Sequence, residues 1–466
     1  MNNQKIPFLH KIKNFVYFQP EVLRMLLLGF SAGIPYLLVF GTFSLLLKDA
    51  GVSRSEIGFA SWIGLTYSIK VIWSPVVDNF RLPVIGRLFG KRKSWLLVTQ
   101  LGIMSCLFAI SITEVTATSY MKVVVFAFIT AFLAATQDIV VDAFRIESND
   151  DKKQGAAAAT YIMGYRIAMI VTGAGALLLA ESYSWEVSYQ IMALCMLVGI
   201  IGWSLSPEPE HKDEPLGESK LEQRISNKLL GFFSNQQTQQ KVGSNISFQY
   251  FVKAILSPLV DFFLRYKWWA IAIIAFVLTY RISDIVMGTM ANVFYDDMGF
   301  SKTEIAAVSK VYGLVMTIVG AFIAGYVVNK MKILNCLLLA ITLVIVTNLL
   351  FAYMSTQPKD LNFLIMVISA DNMAGGFSMG TLFSYFAMLI NKEFTATQYA
   401  LFTSLMTLTG KFLGGFSGVN IDNWGYPGFF TYSALLGIPA MLLIFLLMYR
   451  ERKVLRADNE KAKANT

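Results

Sequence analysis

Long apolar runs recur along the chain and are separated by short polar stretches. Each run has roughly 20 residues, the length that an α-helix needs to cross the hydrocarbon core of a bilayer. The pattern therefore predicts an all-α membrane protein with twelve transmembrane helices. The predicted spans are 22–47, 57–77, 94–112, 123–143, 157–180, 187–204, 269–294, 305–328, 333–354, 361–389, 395–418 and 428–449.

One octapeptide is written twice, as GVSRSEIG at 51–58 and GFSKTEIA at 299–306. Each copy lies between two apolar runs and contains S-x-x-E, the pattern of a capping box that begins a helix. The offset, 299 − 51 = 248, also carries the first span onto the seventh and the second onto the eighth. This predicts two six-helix halves in a parallel repeat. Two unrelated helix caps that look alike are the alternative.

The repeat predicts the domain boundaries. The N-terminal six-helix half covers 1–204 and the C-terminal half with its basic tail covers 267–466. Residues 205–266 have the composition of a cytoplasmic linker, with several prolines and the run NQQTQQ. Its end, 247–267, has apolar faces and basic residues and is predicted to lie along the membrane surface. A short, proline-interrupted extra span is the alternative.

Composition supports a bilayer environment. Hydrophobic residues make up 55% of the chain and charged residues 15%, and the mean hydropathy is +0.56; soluble domains carry about 25% charge. The net charge of +9 arises from Lys and Arg concentrated in alternate loops, which predicts that both termini are cytoplasmic. No basic stripe suits nucleic acid. Three cysteines within apolar spans and two histidines in polar segments give no metal-site spacing, so no metal or cofactor is expected.

Ionisable residues inside predicted spans are the most informative feature. Each costs roughly 2.5–3.5 kcal/mol at a helix centre unless it faces protein or water. So many charges must therefore line an interior, and a polar interior between two six-helix halves is a route for a substrate. The residues are Lys70, Asp138, Asp142, Arg166, Arg281, Asp284, Lys310, Asp371 and Lys411.

Two of these acids share one helix face. Asp138 and Asp142 stand at i and i+4 near the cytoplasmic end of the fourth span. Repulsion and poor solvation would let such a pair share a proton, as a proton-coupled carrier needs. The alternative pairs Asp142 with Arg145 or the basic loop as a structural latch. We assign proton or substrate work to Asp138 and a gating role to Asp142 and Arg145.

The basic residues inside spans are candidates to bind an anion. Arg166 and Lys310 have no acidic neighbour on their own helices, although each could pair with Asp138 or Asp371 across the bundle. Arg281 and Asp284, at i and i+3, are substrate-site candidates that could also simply neutralise each other. Lys70 completes the predicted substrate-binding set. The planar guanidinium of Arg suits carboxylate or phosphate, because it can bind two oxygens at once.

Gating candidates lie where helices are interrupted or followed by basic loops. Gly33 and Pro35 interrupt the first span, and broken helices often border transport sites. Asp78 follows the second span, and Lys91 and Arg92 belong to the basic loop after it. Ion pairs between an acid at a helix end and a basic loop can form in one conformational state and break in another. Gly376 and Gly380, in DNMAGGFSMG (371–380), are better explained by close helix packing.

Several segments carry a resemblance to a known family. They are LLLGFSAGIPYLL, AATQDIVVDAFRIE, YIMGYRIAM, GFSKTEIAAVSKVYGLVMTIVGA and FTATQYALFTSLM. These segments resemble the AmpG family of muropeptide permeases within the major facilitator superfamily, and the similarity covers most spans of both halves. The acetyl-coenzyme A transporters are similar more distantly.

The resemblance implies a symporter of the bacterial inner membrane. It implies import of anhydro-muropeptides from periplasm to cytoplasm, driven by the proton gradient, with a monomer expected. Such cargo carries carboxylates, which Arg166, Arg281 and Lys310 would meet, and Asp138 followed by Asp371 would couple protons. Another anionic cargo, such as acetyl-coenzyme A, is the alternative.

Two other classes of protein remain as alternatives. Asp138 and Asp142 form D-x-x-x-D, which in some membrane enzymes binds magnesium diphosphate, but no second such motif exists. No G-x-x-x-x-G-K-[ST] phosphate loop is present either. A sensor with a transporter fold would bind cargo without accumulating it. We therefore predict a transporter and not an enzyme.

Overall fold

The computed structural model describes residues 19–148, 153–209, 257–390 and 395–464, and every regular element among them is helical. Ten of the described helices are long and apolar enough to cross a membrane. They cover ten of the twelve predicted spans, and the eleventh predicted span coincides with the helix Thr395–Gly414. The predicted all-α fold class is confirmed.

The second predicted span, 57–77, is a series of short pieces. Helix Arg54–Ala60 passes into 3₁₀ turns and further short helices that end at Asn79. The last piece, Ser74–Asn79, begins with a proline in its first turn. Proline lacks the amide hydrogen that would continue the preceding helix, which explains the interruption before it.

The described residues form two compact units. Unit A contains those within 1–53, 69–215 and 301–306, and unit B those within 54–68, 216–300 and 307–466. Two short segments, 54–68 and 301–306, thus belong to the unit that the opposite half of the sequence mainly builds. The predicted boundaries at 204 and 267 remain a prediction, and most of the predicted linker, 210–256, lies outside the described residues.

Unit A is built around the first, third, fourth, fifth and sixth predicted spans. A 3₁₀ turn, Lys70–Ile72, and a π-helical turn, Val171–Gly175, join its helices. The helices are Pro20–Leu38, Gly41–Asp49, Ser74–Asn79, Ile85–Phe89, Lys91–Ile112, Met121–Ser148, Gln154–Ile170, Ala176–Ser182, Trp185–Cys195, Leu197–Leu205 and Lys302–Ile305.

Unit B contains the remaining helices. The π-helical stretch Ala306–Tyr312 begins at the boundary of the two units, and Gly425, with φ +66°, interrupts the helix around it. The helices are Arg54–Ala60, Ser257–Tyr266, Trp269–Tyr280, Ile282–Thr289, Ala291–Asp297, Gly313–Val328, Ile333–Met354, Leu361–Leu389, Thr395–Gly414, Ser417–Leu435 and Ile438–Ala464; Leu65–Ile69 ends at the boundary.

Glycines allow the closest helix contacts in both units. A Cβ at Gly29 would lie 2.1 Å from the carbonyl oxygen of Tyr161, and one at Gly376 would lie 2.0 Å from that of Thr317. No Cβ fits at such distances, so glycine permits these helices to touch through their backbones. The packing explanation for the glycine-rich stretch at 371–380 therefore accounts for Gly376.

Caps fix where several helices begin. Ser301 Oγ accepts from the Glu304 amide at 3.1 Å, and Glu304 Oε2 accepts from the Ser301 amide at 2.8 Å. This reciprocal pair is the capping box predicted for the second copy of the octapeptide. Asp360 caps the helix Leu361–Leu389 in a simpler way, by accepting from the Asn362 amide at 2.9 Å.

The helix Ser257–Tyr266 is anchored in unit B by a polar network. Its Asp261 is buried and accepts from Arg265 and from Gln398, both at 2.9 Å. Arg265 also donates to the carbonyl of Leu389, at the end of another helix, at 2.9 Å. The described part of the predicted surface segment 247–267 is therefore held by unit B on one face. Its location at the membrane surface remains a prediction.

Candidate functional site

Unit A places one buried ion pair among tyrosines. Lys70 Nζ donates to Asp138 Oδ2 at 3.5 Å, and both side chains are mostly buried. The phenol groups of Tyr161 and Tyr165 lie close enough to Asp138 to interact with its charge. The Tyr165 ring also lies 6.3 Å from that of Tyr36. Asp138 is thus compensated by a cation that lies 68 residues away in sequence.

A neutral polar network lies deeper in unit A. Ser31 Oγ accepts from Gln137 Nε2 at 2.9 Å and from Gln100 Nε2 at 3.3 Å. All three side chains are fully buried. The amide oxygens of Gln100 and Gln137 have no hydrogen-bond partner among the described residues. Our sequence analysis missed these residues, whose only signal was a neutral polar side chain inside an apolar span.

The gating candidates of unit A form ion pairs near one end of their helices. Arg145 lies 3.5 Å from Asp142 on the same helix, and Arg92 lies 2.6 Å from Glu147. Glu208, which the sequence analysis did not single out, accepts from the amides of Arg92 and Lys93 at 2.8 and 2.9 Å.

The remaining gating candidates are placed as follows. Lys91 is the first residue of the helix Lys91–Ile112, and Asp78 belongs to the helix Ser74–Asn79, although its side chain lies outside the described part. Gly33 packs against the backbone of Tyr165, and Pro35 lies inside the helix Pro20–Leu38, which ends three residues later.

In unit B one acid, Asp371, lies near the ion pair of Arg281 with Asp284. Arg281 donates to Asp284 in a close contact, as the i, i+3 spacing allows. Asp371 accepts from the Thr347 hydroxyl at 3.4 Å and lies within electrostatic range of both members of that pair. No described Lys or Arg comes within ion-pair distance of Asp371. Its charge is therefore less compensated than that of Asp138.

Two of the predicted anion-binding residues, Arg166 and Lys310, have no acidic partner among the described residues. Arg166 donates to the Met169 sulfur at 3.6 Å, and its side chain is exposed. Lys310 donates to the neutral oxygen of Asn292 at 2.7 Å. Neither contact compensates a positive charge, so each cation can accept an anion. The alternative to anion binding, an ion pair of Arg166 with Asp138 in unit A or of Lys310 with Asp371 in unit B, is not found among the described residues.

The acids do not assemble into a metal centre in the described part of the chain. No group of three or more potential ligands is found there. Asp138 and Asp142, the two members of D-x-x-x-D, instead have Lys70 and Arg145 as neighbours. Bound cationic side chains oppose the binding of a second cation. The cysteines Cys106, Cys195 and Cys336 are free thiols.

Ten long apolar helices among the described residues, with charged side chains inside them, are typical of a multi-span membrane carrier of solutes. The model of the Major Facilitator Superfamily matches residues 25–419. A putative transporter AmpG 4 of Rickettsia felis is 33% identical over 436 residues, which cover 93% of this chain and 97% of the relative. The chain therefore belongs to the Major Facilitator Superfamily and, within it, to the AmpG family.

Two further comparisons agree with this assignment. The anhydromuropeptide permease of Escherichia coli strain K12 is 29% identical over 433 residues, covering 92% of this chain and 80% of the permease. A crystal structure of the peptide transporter POT in complex with sulfate has a TM-score of 0.67 at 12% identity, covering 95% of this chain and 97% of that one. The second likeness concerns the fold alone. The predicted family and transporter class are confirmed.

Proposed function

We propose that this transporter imports anhydro-muropeptides across the bacterial inner membrane, together with protons and by alternating access, with both termini in the cytoplasm. The observation that carries the proposal is the pair of cations without acidic partners, Arg166 in unit A and Lys310 in unit B. A peptide-bearing sugar with several carboxylates supplies the missing negative charge. The similarity to an anhydromuropeptide permease supports this choice of cargo.

The carboxylates divide into two kinds of candidate for proton coupling. Asp138 forms an ion pair with Lys70, so protonation of Asp138 would release Lys70 for the cargo. Asp371 has a hydroxyl partner and no described cation within ion-pair distance. An acid in apolar surroundings is costly unless it is protonated or paired. We propose Asp138 and Asp371 as the two proton carriers, and Arg281 and Asp284 as further residues that bind the substrate.

The decisive experiment is uptake of labelled anhydro-muropeptide into proteoliposomes, with and without an inward proton gradient. Accumulation above equilibrium that requires the gradient is the expected result. Binding without accumulation in a folded preparation would instead identify a sensor. Uptake of acetyl-coenzyme A with no uptake of muropeptide would retain the transporter and replace the cargo.

Substitution of the unpaired cations tests the site itself. Arg166→Gln and Lys310→Gln are each expected to raise the KM for cargo by about tenfold or more, because one charge-assisted contact is worth roughly 1.5–3 kcal/mol and about 1.4 kcal/mol is a factor of ten. Lys122→Gln is the matched control, since Lys122 is exposed near the start of the helix Met121–Ser148. An unchanged KM in both site variants would remove Arg166 and Lys310 from the cargo site.

A further inference from the structure

An open groove lies on unit A where one helix begins and another ends. It is bounded by the first turns of the helix Pro20–Leu38 and by the end of the helix Leu197–Leu205. Its volume is about 390 Å³, within the range of pockets that bind small molecules. None of its lining residues belongs to the predicted substrate, proton or gating residues. They are Pro20, Leu23, Arg24, Leu26, Leu27 and Leu205.

The packing of these two helices explains where the groove forms. A Cβ at Gly202 would lie 2.8 Å from the Leu27 Cβ, so the absence of a side chain at Gly202 lets the helices approach each other there. Leu205 is the last residue of its helix, and the backbone of Ser206 is extended. The second helix therefore ends within one turn of the close contact, and the groove occupies the space beside the first helix beyond that end.

The rim of the groove is apolar and exposed. Leu23 is 42% exposed and Leu205 is 56% exposed. Both belong to helical stretches that are long and apolar enough to cross a membrane. On such a stretch the neighbours of exposed leucines are lipid acyl chains. The groove is therefore open to the hydrocarbon of the bilayer.

Arg24 supplies the only charge among the described lining residues. Its guanidinium has no hydrogen-bond or ion-pair partner in the described part of the chain. Glu21, three residues earlier on the same helix, lies 3.9 Å from Lys153 instead. Arg24 is four residues past the start of its helix, a rise of about 6 Å, so its side chain can reach the level of the lipid headgroups. An unpaired cation at this depth is stabilised by an anion.

We propose that the groove binds an anionic phospholipid, with the headgroup phosphate on Arg24 and part of one acyl chain along the leucines. The planar guanidinium can donate to two phosphate oxygens at once. Basic pockets between membrane-spanning helices are typical sites for such headgroups. A zwitterionic phospholipid carries its own ammonium near the phosphate, so Arg24 favours a headgroup with net negative charge. The inference is independent of the proposed cargo, because lipid binding is measured without it.

Charge and composition disfavour the chain's own segments as occupants. Residues 1–18, outside the described part, contain three lysines and no acidic residue, so their charge would repel Arg24. The segment 210–222 follows Leu205 closely and contains five acidic residues, which makes it the competing occupant. It has only two leucines, Leu216 and Leu221. It could therefore neutralise Arg24 but would supply little apolar surface to the groove.

The first test measures lipid affinity of the purified full chain by native mass spectrometry. Dioleoyl phosphatidylglycerol and dioleoyl phosphatidylcholine are titrated separately. Arg24→Gln is expected to raise the Kd for phosphatidylglycerol about tenfold, as loss of one charge-assisted contact predicts, and to leave that for phosphatidylcholine unchanged. Arg24→Lys should give an intermediate Kd, because an ammonium lacks the fork.

The control for this titration is a cation that lies outside the groove. Lys122 is exposed near the start of the helix Met121–Ser148, and Lys122→Gln should leave both affinities unchanged. An unchanged affinity for phosphatidylglycerol in Arg24→Gln, or an equal loss in Lys122→Gln, would overturn the proposal.

Filling the groove tests the acyl chain separately from the headgroup. Leu205→Trp is expected to weaken binding of both lipids by a similar factor, since it narrows the apolar part and keeps Arg24. Leu194→Trp is the matched control, because Leu194 is 60% exposed and does not line the groove. Unchanged binding of both lipids in Leu205→Trp would overturn the placement of the acyl chain.

Photocrosslinking identifies the occupant directly. Leu205→p-benzoylphenylalanine is irradiated in nanodiscs of equal parts phosphatidylglycerol and phosphatidylcholine, and the products are analysed by mass spectrometry. A phosphatidylglycerol adduct whose yield falls when Arg24→Gln is added is the expected result. A crosslink to residues 210–222 or to 1–18 would overturn the proposal in favour of the chain's own segment. A crosslinked dimer would overturn it in favour of a second copy.

Discussion

Removal of the Glu208 carboxylate should destabilise one end of unit A. Glu208 accepts from the amides of Arg92 and Lys93 at 2.8 and 2.9 Å, which are two of the unpaired donors at the start of the helix Lys91–Ile112. Gly90, just before the helix, has φ +90°, and a Cβ there would lie 2.3 Å from Glu208. The absence of a side chain at Gly90 thus leaves room for the Glu208 carboxylate at the start of the helix.

The magnitude follows from the two charge-assisted hydrogen bonds. Each is worth about 1.5–3 kcal/mol net, and a negative charge at a helix N-terminus adds about 0.3–1 kcal/mol. Because Glu208 is half-buried, water will replace part of these interactions in a variant that lacks the carboxylate. We expect Glu208→Ala to lower the free energy of unfolding by about 2 kcal/mol, and Glu208→Gln by about 1 kcal/mol, since its amide oxygen can accept one bond.

Unfolding in mixed micelles, titrated with denaturing detergent and followed by tryptophan fluorescence, measures this difference. Trp203 is a suitable probe, because its Nε1 donates to the carbonyl of Lys93 at 2.8 Å. Glu114→Ala is the control, as Glu114 is an exposed acid two residues past the other end of the same helix. A loss under about 0.5 kcal/mol in Glu208→Ala would refute the assignment of Glu208 as the cap.

Two further predictions concern packing and charge compensation. Gly376→Ala should prevent the backbone contact with Thr317 and lower the free energy of unfolding by several kcal/mol. Gly375→Ala, with nothing within 4 Å of the added Cβ, should leave it unchanged. Thermal unfolding in detergent compares the two variants. Lys70→Met and Asp138→Asn should each destabilise, and the double variant should be more stable than their sum predicts by about 1–3 kcal/mol in a double-mutant cycle. Strict additivity would mean that the ion pair contributes nothing.

The spans could be predicted from sequence because bilayer thickness imposes a length on every apolar run. The residues that carry charge inside them could be found for the same reason, since each stands out against an apolar background. Their partners could not be found. Lys70 and Asp138 lie on different helices, and a single sequence carries no information about which helices touch. The pairing of Arg281 with Asp284 could be predicted, because the two residues lie three apart on neighbouring turns of the chain.

Neutral polar residues were harder still to recognise. Ser31, Gln137 and Asn292 take part in the polar networks of the two units, but none carries a charge that singles it out in an apolar run. The interruptions in the second span, predicted as one helix over 57–77, were missed because apolar residues continue through the breaks. Glu208 lies beyond the last span of its half, where composition indicates only a linker.

The two halves of the sequence are alike in the repeated octapeptide and differ in the charges inside their spans. Arg54 pairs with Asp297 and Lys302 pairs with Asp49, and the two ion pairs match under the offset of 248 residues. The interior charges do not repeat: unit A has Lys70 paired with Asp138, whereas unit B has Asp371 beside a balanced pair. Divergence between the halves has therefore kept the contacts of the repeated turn and changed the ionic partners inside the spans.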